Sequence, residues 1–548
     1  MNSLFAEFAK LMWGPWLLIL LLGTGVWLSI SLSGIQIRNL TYAFRLTFSK
    51  ERGGEGDISH FGSLMTALAA TVGMGNIAGV STAVALGGPG AIFWMWITGL
   101  VGMATKYSEG FLAVKYRHVN EYGEISGGPM YYIEKSFNMR WAGVLFAALM
   151  MICAIGSGNM PQINNIASVL DSTFSIPKLA TGLILGVMLW LIISGGIKRI
   201  AKIASKLVPF MAVIYFGGAL VVVIENYQNI IPSFHSIFSQ VFSGSAAAGG
   251  FLGASFAMSL KLGVARGLYS NEAGQGSSPI AHASAKTKHS VEQGMVSILE
   301  PFIDTIVVCS VTALVILSSG AWTQKYENTF ERSSMAIFAG DYTESNSSDV
   351  EELGKYILDA RKFTSNTTTV KNFSGNLNVI NGELQQDGIT IFHNNSIAED
   401  VTFYKDGEYF DGSLEVSDGD LKDSSIKVEG KSLIHSAELT SKAFASGVLG
   451  KIGEYIVAIG LLLFAFSTAI AWSYYGDRST AYIFGENAVP WYRMIYVVSF
   501  IAAAVIDTTI VWNIAYVVVA LVTIPNLFAL FILRKEMKEQ VTNYVIEK

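Results

Sequence analysis

Eleven apolar stretches, each close to the length of a bilayer-crossing helix, recur along this chain and leave room for little else. A hydrocarbon core of about 30 Å takes roughly 20 residues of helix. Stretches of that kind fall near residues 12–33, 62–86, 89–113, 141–170, 178–196, 206–224, 246–270, 292–319, 446–474, 492–507 and 511–533. Backbone groups in lipid must bond within the protein, so the predicted fold is an all-α membrane protein with eleven transmembrane helices. Composition agrees. Charged residues are 14% of the 548, against about 25% in soluble domains. The 54 glycines suit closely packed helices. A net charge of −5 offers no footprint for nucleic acid. Two cysteines exclude a disulfide scaffold, and the seven histidines show no metal spacing. The first stretch carries Trp13, Trp16 and Trp27 and reads as a retained helix, not a cleaved signal.

Twenty-one Lys and Arg, Arg266 among them, fall in one set of loops; only Lys10 and Lys178 fall in the opposite short loops. That bias places the N-terminus outside the cell membrane and the C-terminus in the cytoplasm. Residues 321–443 break the pattern with 21 acidic and 11 basic side chains. They are expected to form a soluble, β-rich extracellular insertion. It would separate a first membrane part, 1–320, from the last three helices and cytoplasmic tail, 444–548. A helical part near 333–362 is expected first. Strands follow, separated by the turn signals Asn381-Gly, Asp387-Gly, Asp406-Gly, Asp411-Gly and Asp418-Gly. Gly375–Val379 and Gly412–Val416 are faintly alike. A tolerated loop insertion accounts for the segment as simply as a lid, a shield or a contact for an unidentified partner.

The second stretch holds Gly73-Met-Gly-Asn76 at mid-membrane. Each glycine costs a helix interior up to about 1 kcal/mol, and irregular backbone at that depth is tolerated only in a protein interior or beside a cavity. A helix unwound at 71–76 would aim the N–H groups of Met74, Gly75 and Asn76 at a gap suited to a carboxylate. The carbonyls of Ala69, Thr71 and Val72 would offer hard oxygens to a small cation. A glycine packing face is the plainer alternative. The seventh stretch, Gly249 to Tyr269, reads as a second break, with Lys261 snorkelling at its inner end. Broken second and seventh spans, five apart, predict one N-terminal helix plus a five-plus-five inverted repeat with the site at its interface.

Other polar groups lie at membrane depth. Ser467 and Thr468 are adjacent hydroxyls that complete a sodium site or bond back to their own helix. Asp304 is a coupling candidate or a structural partner for a neighbouring helix. Asn159, Gln162 and Asn165 share a face if the fourth helix is continuous through Pro161, and Asn164 lies beside them. Membrane-depth residues show no nucleophile–base pair, so an enzyme is not expected.

Several longer motifs carry a resemblance: Thr66-Ala-Leu-Ala-Ala-Thr-Val-Gly-Met-Gly-Asn-Ile-Ala-Gly-Val, Gly87-Gly-Pro-Gly-Ala-Ile-Phe-Trp-Met-Trp, Gly102-Met-Ala-Thr-Lys-Tyr-Ser-Glu, Gly127-Gly-Pro-Met-Tyr-Tyr-Ile, Arg266-Gly-Leu-Tyr-Ser-Asn-Glu-Ala-Gly and Phe464-Ala-Phe-Ser-Thr. With them the chain resembles the alanine or glycine:cation symporter family, which is similar in fold to LeuT-type symporters. The resemblance implies secondary active transport of alanine and glycine into the cell, coupled to sodium as co-substrate, with no cofactor. It implies a substrate carboxylate in the turn of Gly73, Met74 and Gly75, and a cation near the Thr71 carbonyl and Asn76. It further implies a second, more widely shared sodium site from the carbonyls of Ala69, Val72 and Phe464 with the hydroxyls of Ser467 and Thr468. Trp472 would wall the side-chain pocket, and Phe256, Ser259 and Leu262 would line the break in the seventh span. The ammonium would then meet backbone carbonyls or Gln162. Met74 stands where the family often has threonine, and the 321–443 insertion departs from the family core. A proton-coupled symporter using Asp304 or Glu109, and a receptor or adhesion protein working through the outer domain, stay open.

Overall fold

The structure is a computed structural model, and it describes residues 12–49, 54–120, 123–243, 250–360, 368–506 and 508–546. A helix lies in each of the eleven apolar stretches. Among the described residues, five helices are long and apolar enough to cross a bilayer: Arg140–Phe174, Gly196–Glu225, Ser290–Ser319, Lys451–Phe484 and Ile514–Tyr544. The pair His60–Thr71 and Gly75–Gly87 reaches that standard together, with a bend of 54° between its halves. The apolar side chains of this bundle form one continuous core.

Several of the apolar stretches are irregular. In the second stretch Val72 and Gly73 leave the helix, and a π-helical turn, Gly75–Gly79, follows before regular helix resumes at Val80. The fourth stretch is interrupted at Ser157, Gly158 and Asn159, between Arg140–Gly156 and Met160–Phe174. Pro161 stands in the first turn of the second half, where its missing N–H costs nothing. The eighth stretch carries a π-helical segment, Phe302–Cys309, around Asp304.

The seventh stretch differs from expectation. Residues 250–255 are not helical, and Phe256–Asn271 is an uninterrupted helix capped by the Ser255 hydroxyl. It ends at Glu272, whose φ of 54° is left-handed, and irregular chain runs to Pro279–His282. The break therefore lies at 272–278, beyond the expected one. Gly250 and Leu252 donate to Thr323 O and Asn395 O of the insertion, so this helix starts on the insertion side. Lys261, in its second turn, lies nearer that side than the inner end where it was placed. Arg266 lies within the helix and not in a loop, which removes it from the loop-charge comparison.

Among the described residues, the insertion holds three four-stranded antiparallel sheets and the helix Ser347–Ala360. Its strands begin with Tyr326–Thr329, ahead of that helix. Asn381, Asp406 and Asp418 have φ of 51°, 51° and 52°, each followed by a glycine, as tight hairpin turns demand. The two alike segments pair with each other, Leu377 opposite Leu414, and both leucines enter the insertion's own core. The last helix, Ser436–Ala445, behaves differently. Its Leu439, Ala443 and Phe444 join the membrane core, and Thr440 donates to Ile77 O at 3.1 Å.

His393 joins two parts of the insertion. Its Nε2 accepts from the Glu331 N–H at 3.1 Å, which makes Nδ1–H the donor to Ser432 Oγ at 2.7 Å. Burial, with His435 nearby, pushes its pKa down to about 3. The folded histidine is neutral, whereas the unfolded one takes a proton below about pH 6.5. Stability from this site is complete above that pH and declines as pH falls toward 3, by about 2 kcal/mol between pH 6.5 and 5. Amide protection factors across residues 326–339 and 389–432, corrected for the slower intrinsic exchange at lower pH, should therefore be smaller at pH 5 than at pH 7, and a His393→Gln protein should lose that dependence.

Candidate functional site

The interrupted second and fourth stretches meet the end of the seventh and a regular helix at one small chamber. Its walls are Ala70, Thr71, Gly73, Met74 and Gly75 from the second stretch, Ser157 and Gln162 from the fourth, Tyr269, Glu272 and Gln275 from the seventh, and Thr468 and Trp472 from Lys451–Phe484. The cavity measures about 20 Å³, room for one water molecule. A larger ligand requires these walls to part.

Each predicted residue can now be placed. The amides of Met74 and Gly75 stand at the start of a helical half, where the first N–H groups lack a preceding turn to bond. Asn76 holds the turn open: its Oδ1 accepts from the Gly73 N–H at 2.9 Å. Its Nδ2 faces away from the chamber and donates to Asp304 Oδ1 at 2.7 Å and to Ser270 Oγ at 3.1 Å. The other Asp304 oxygen accepts from Ser270 and Thr305, each at 2.8 Å. Asp304 is completely buried and serves as the anchor of the unwound turn.

Ser467 and Thr468 donate to Phe464 O at 2.8 and 3.1 Å, the back-bonded arrangement. A Cβ on Gly73 would lie 2.6 Å from Thr468 Oγ1, so only glycine lets the broken backbone and this hydroxyl approach. Ala69, Val72 and Phe464 are buried on the same two helices. Hydroxyl and carbonyl oxygens are the donor set that suits a hard monovalent cation.

Gln162 lies on the chamber wall with its Oε1 unpaired, while Nε2 reaches Ser157 O at 3.4 Å. Its neighbours are occupied elsewhere: Asn159 and Asn164 donate to Tyr496 O and Ala503 O, and Asn165 to Pro161 O. Trp472 walls the chamber as expected, and its Nε1 donates to Glu272 Oε1 at 3.1 Å. Phe256, Ser259 and Leu262 do not reach it. Phe256 is 37% exposed beside Trp94 and Phe242, Ser259 donates to Gly87 O, and Leu262 packs on Gly87. They were misplaced because the helix they sit on is intact.

Sequence reasoning missed Tyr269, Glu272 and Gln275. The signal was present in Gly274-Gln-Gly276-Ser-Ser-Pro279, a run of helix breakers after a helical stretch. It also missed a buried ionic cluster beside the chamber. Lys106 Nζ meets Glu300 Oε1 at 2.8 Å and Ser278 Oγ at 2.7 Å, with Glu109 Oε2 at 3.9 Å. Gln293 sets the histidine tautomers there. Its Oε1 accepts from His60 Nδ1, and its Nε2 donates to His282 Nδ1, leaving His282 Nε2–H to face Glu300 Oε2 at 3.3 Å. Glu109 Oε1 takes the Gly276 N–H and Asn526 Nδ2.

The chamber is walled by broken helices in an apolar bundle, and hydroxyl, amide and carboxyl side chains line it. The profile of the sodium:alanine symporter family matches residues 1–347 and 424–548. The chain belongs to that family. Its members are transporters, which sets the enzyme class aside and makes this a multi-pass membrane protein of cation-coupled amino-acid symport. It is 38% identical to the sodium/alanine symporter AgcS of Methanococcus maripaludis, over 97% of this chain and 94% of that protein. It is 37% identical to an uncharacterized transporter of Haemophilus influenzae, over 99% and 96%. It is 40% identical to a putative sodium/proton-dependent alanine carrier, YrbD, of Bacillus subtilis, over 60% and 67%. The family profile passes over 348–423, the middle of the insertion, while covering the strand, turn and helix that join it to the bundle.

Proposed function

We propose that this chain carries a small neutral amino acid, alanine or glycine, into the cell on a sodium gradient by alternating access. The observation that carries the proposal is the break at Val72–Met74, which faces Thr468, Gln162 and Trp472 across one chamber. The carboxylate sits on the amides of Met74 and Gly75. The ammonium sits between Gln162 Oε1 and Glu272, and Trp472 limits the side chain to a hydrogen or a methyl. Sodium binds the carbonyls of Ala69, Val72 and Phe464 with the hydroxyls of Ser467 and Thr468. A second cation takes the Thr71 carbonyl; Asn76, tied to Asp304, supports that turn without facing the chamber. Each ligand orders backbone that the other uses, so the coupling is reciprocal. Eleven crossings, a five-plus-five inverted repeat, an outside N-terminus and a cytoplasmic C-terminus complete this picture.

In proteoliposomes, alanine uptake should require an inward sodium gradient. Ser467→Ala with Thr468→Ala should raise the sodium concentration for half-maximal uptake by about tenfold or more, as loss of two hydroxyl ligands implies. Unchanged sodium dependence in that double variant would remove this ion site.

A second reading, proton coupling, is favoured by the Lys106, Glu109, Glu300 and His282 cluster beside Ser278. Ionisable groups buried at membrane depth mark proton relays in other transporters. Uptake driven by a pH step in sodium-free buffer would establish it in place of the sodium reading.

A further inference from the structure

A cavity of about 650 Å³ lies on the insertion side of the chamber. Met74, Gly75 and Tyr269 belong to the walls of both spaces. Its outer wall comes from the insertion, at Glu331, Arg332, Ser333, His435 and Ser436. Its membrane-side wall holds Arg266 beside Gly79 of the broken span.

The two arginines here differ. Arg332 is held by its own domain, with Nη2 donating to Asp423 O and Ile426 O. Arg266 touches Tyr516 OH at 3.2 Å through Nη1 alone, and a guanidinium has five N–H donors in all. Glu331 is exposed, and His393 fixes its backbone N–H. An arginine of the bundle and a glutamate of the insertion thus line one cavity, large enough for a free amino acid. The insertion wall is also tied to the broken span. Ser81 donates to Ser436 O and Thr440 to Ile77 O, so the insertion's last helix grips the second half of the broken span.

The geometry points to a second amino-acid site in this vestibule. Arg266 takes the carboxylate and Glu331 the ammonium of a zwitterion before it passes Met74 and Tyr269. The insertion is then part of the transport path, and its charged rim belongs to substrate recognition. This rests on the proposed function for the identity of the solute.

Isothermal titration of the purified full-length protein with L-alanine in saturating sodium tests it. Two sites are expected. Glu331→Gln should weaken one by about threefold, as an exposed charge contact allows, and Arg266→Gln the same one by about tenfold. Gln162→Ala should weaken only the other. Cys153 and Cys309 are buried, so a Ser333→Cys thiol reports on the vestibule even if Arg266→Gln misfolds. Alanine should slow its reaction with a maleimide about threefold in Gln162→Ala protein, and Glu331→Gln should remove that protection. A single site, abolished by Gln162→Ala and indifferent to Glu331→Gln, would overturn the vestibule site and leave the central one standing. Two sites indifferent to both charge variants, or a Ser333→Cys thiol unprotected by alanine, would overturn it as well. No alanine binding at all would overturn both proposals.

Discussion

Lys106→Met is expected to destabilise the protein by about 3–5 kcal/mol, the cost of leaving a buried charge without its partner. Lys106 is completely buried and is the one ammonium set against Glu300 and Glu109, which are equally buried. Methionine fills the space of the stem and supplies no charge, so the Glu300 carboxylate keeps only the His282 contact. The loss should appear as a lower unfolding midpoint of the purified protein in detergent. Lys106→Met combined with Glu300→Gln should recover much of it, because removing both charges removes the imbalance. A single variant as stable as the parent would show that the cluster carries no such charge.

Gly158→Ala is the second large effect. A Cβ at this position would lie 2.2 Å from Trp472 Cγ and 2.4 Å from Trp472 Cβ, so the indole must move. Overpacking of this kind costs about 1–3 kcal/mol, and here the displaced group is the chamber wall that also donates to Glu272. Alanine uptake should fall about tenfold or more, on the scale of 1.4 kcal/mol per decade, while the protein still reaches the membrane. Trp472→Ala relieves the same contact by removing the wall. It should admit larger neutral side chains such as valine, read as competition with labelled alanine. Gly158→Ala protein with normal alanine uptake would separate Trp472 from the substrate path.

The break at 71–76 was legible because two glycines around Met74, followed by Asn76, are expensive in a membrane helix and demand a reason. Thr468 and Trp472, named from the sequence, both reach the chamber because one regular helix carries them at fixed spacing. The insertion's turns at Asn381, Asp406 and Asp418 were also legible, since Asn-Gly and Asp-Gly encode their own backbone geometry; that the two alike segments pair was not. The seventh stretch was misjudged because glycine is ambiguous. Gly263 packs against Ala91 and lies in intact helix, whereas Gly274 and Gly276 lie in the real break. Local composition does not separate a glycine that admits a neighbour from one that ends a helix.

From the residues alone came the apolar helices, the break in the second of them and a polar insertion, because length, hydropathy and glycine cost are local quantities. Only the folded chain decided what meets at that break. Glu272 and Gln275 arrive from 200 residues further along, Asn76 turns to Asp304 and not to the chamber, and the insertion's last helix closes on the broken span. Those outcomes depend on which faces of distant helices pack together, and packing is settled by the shape of the whole interior.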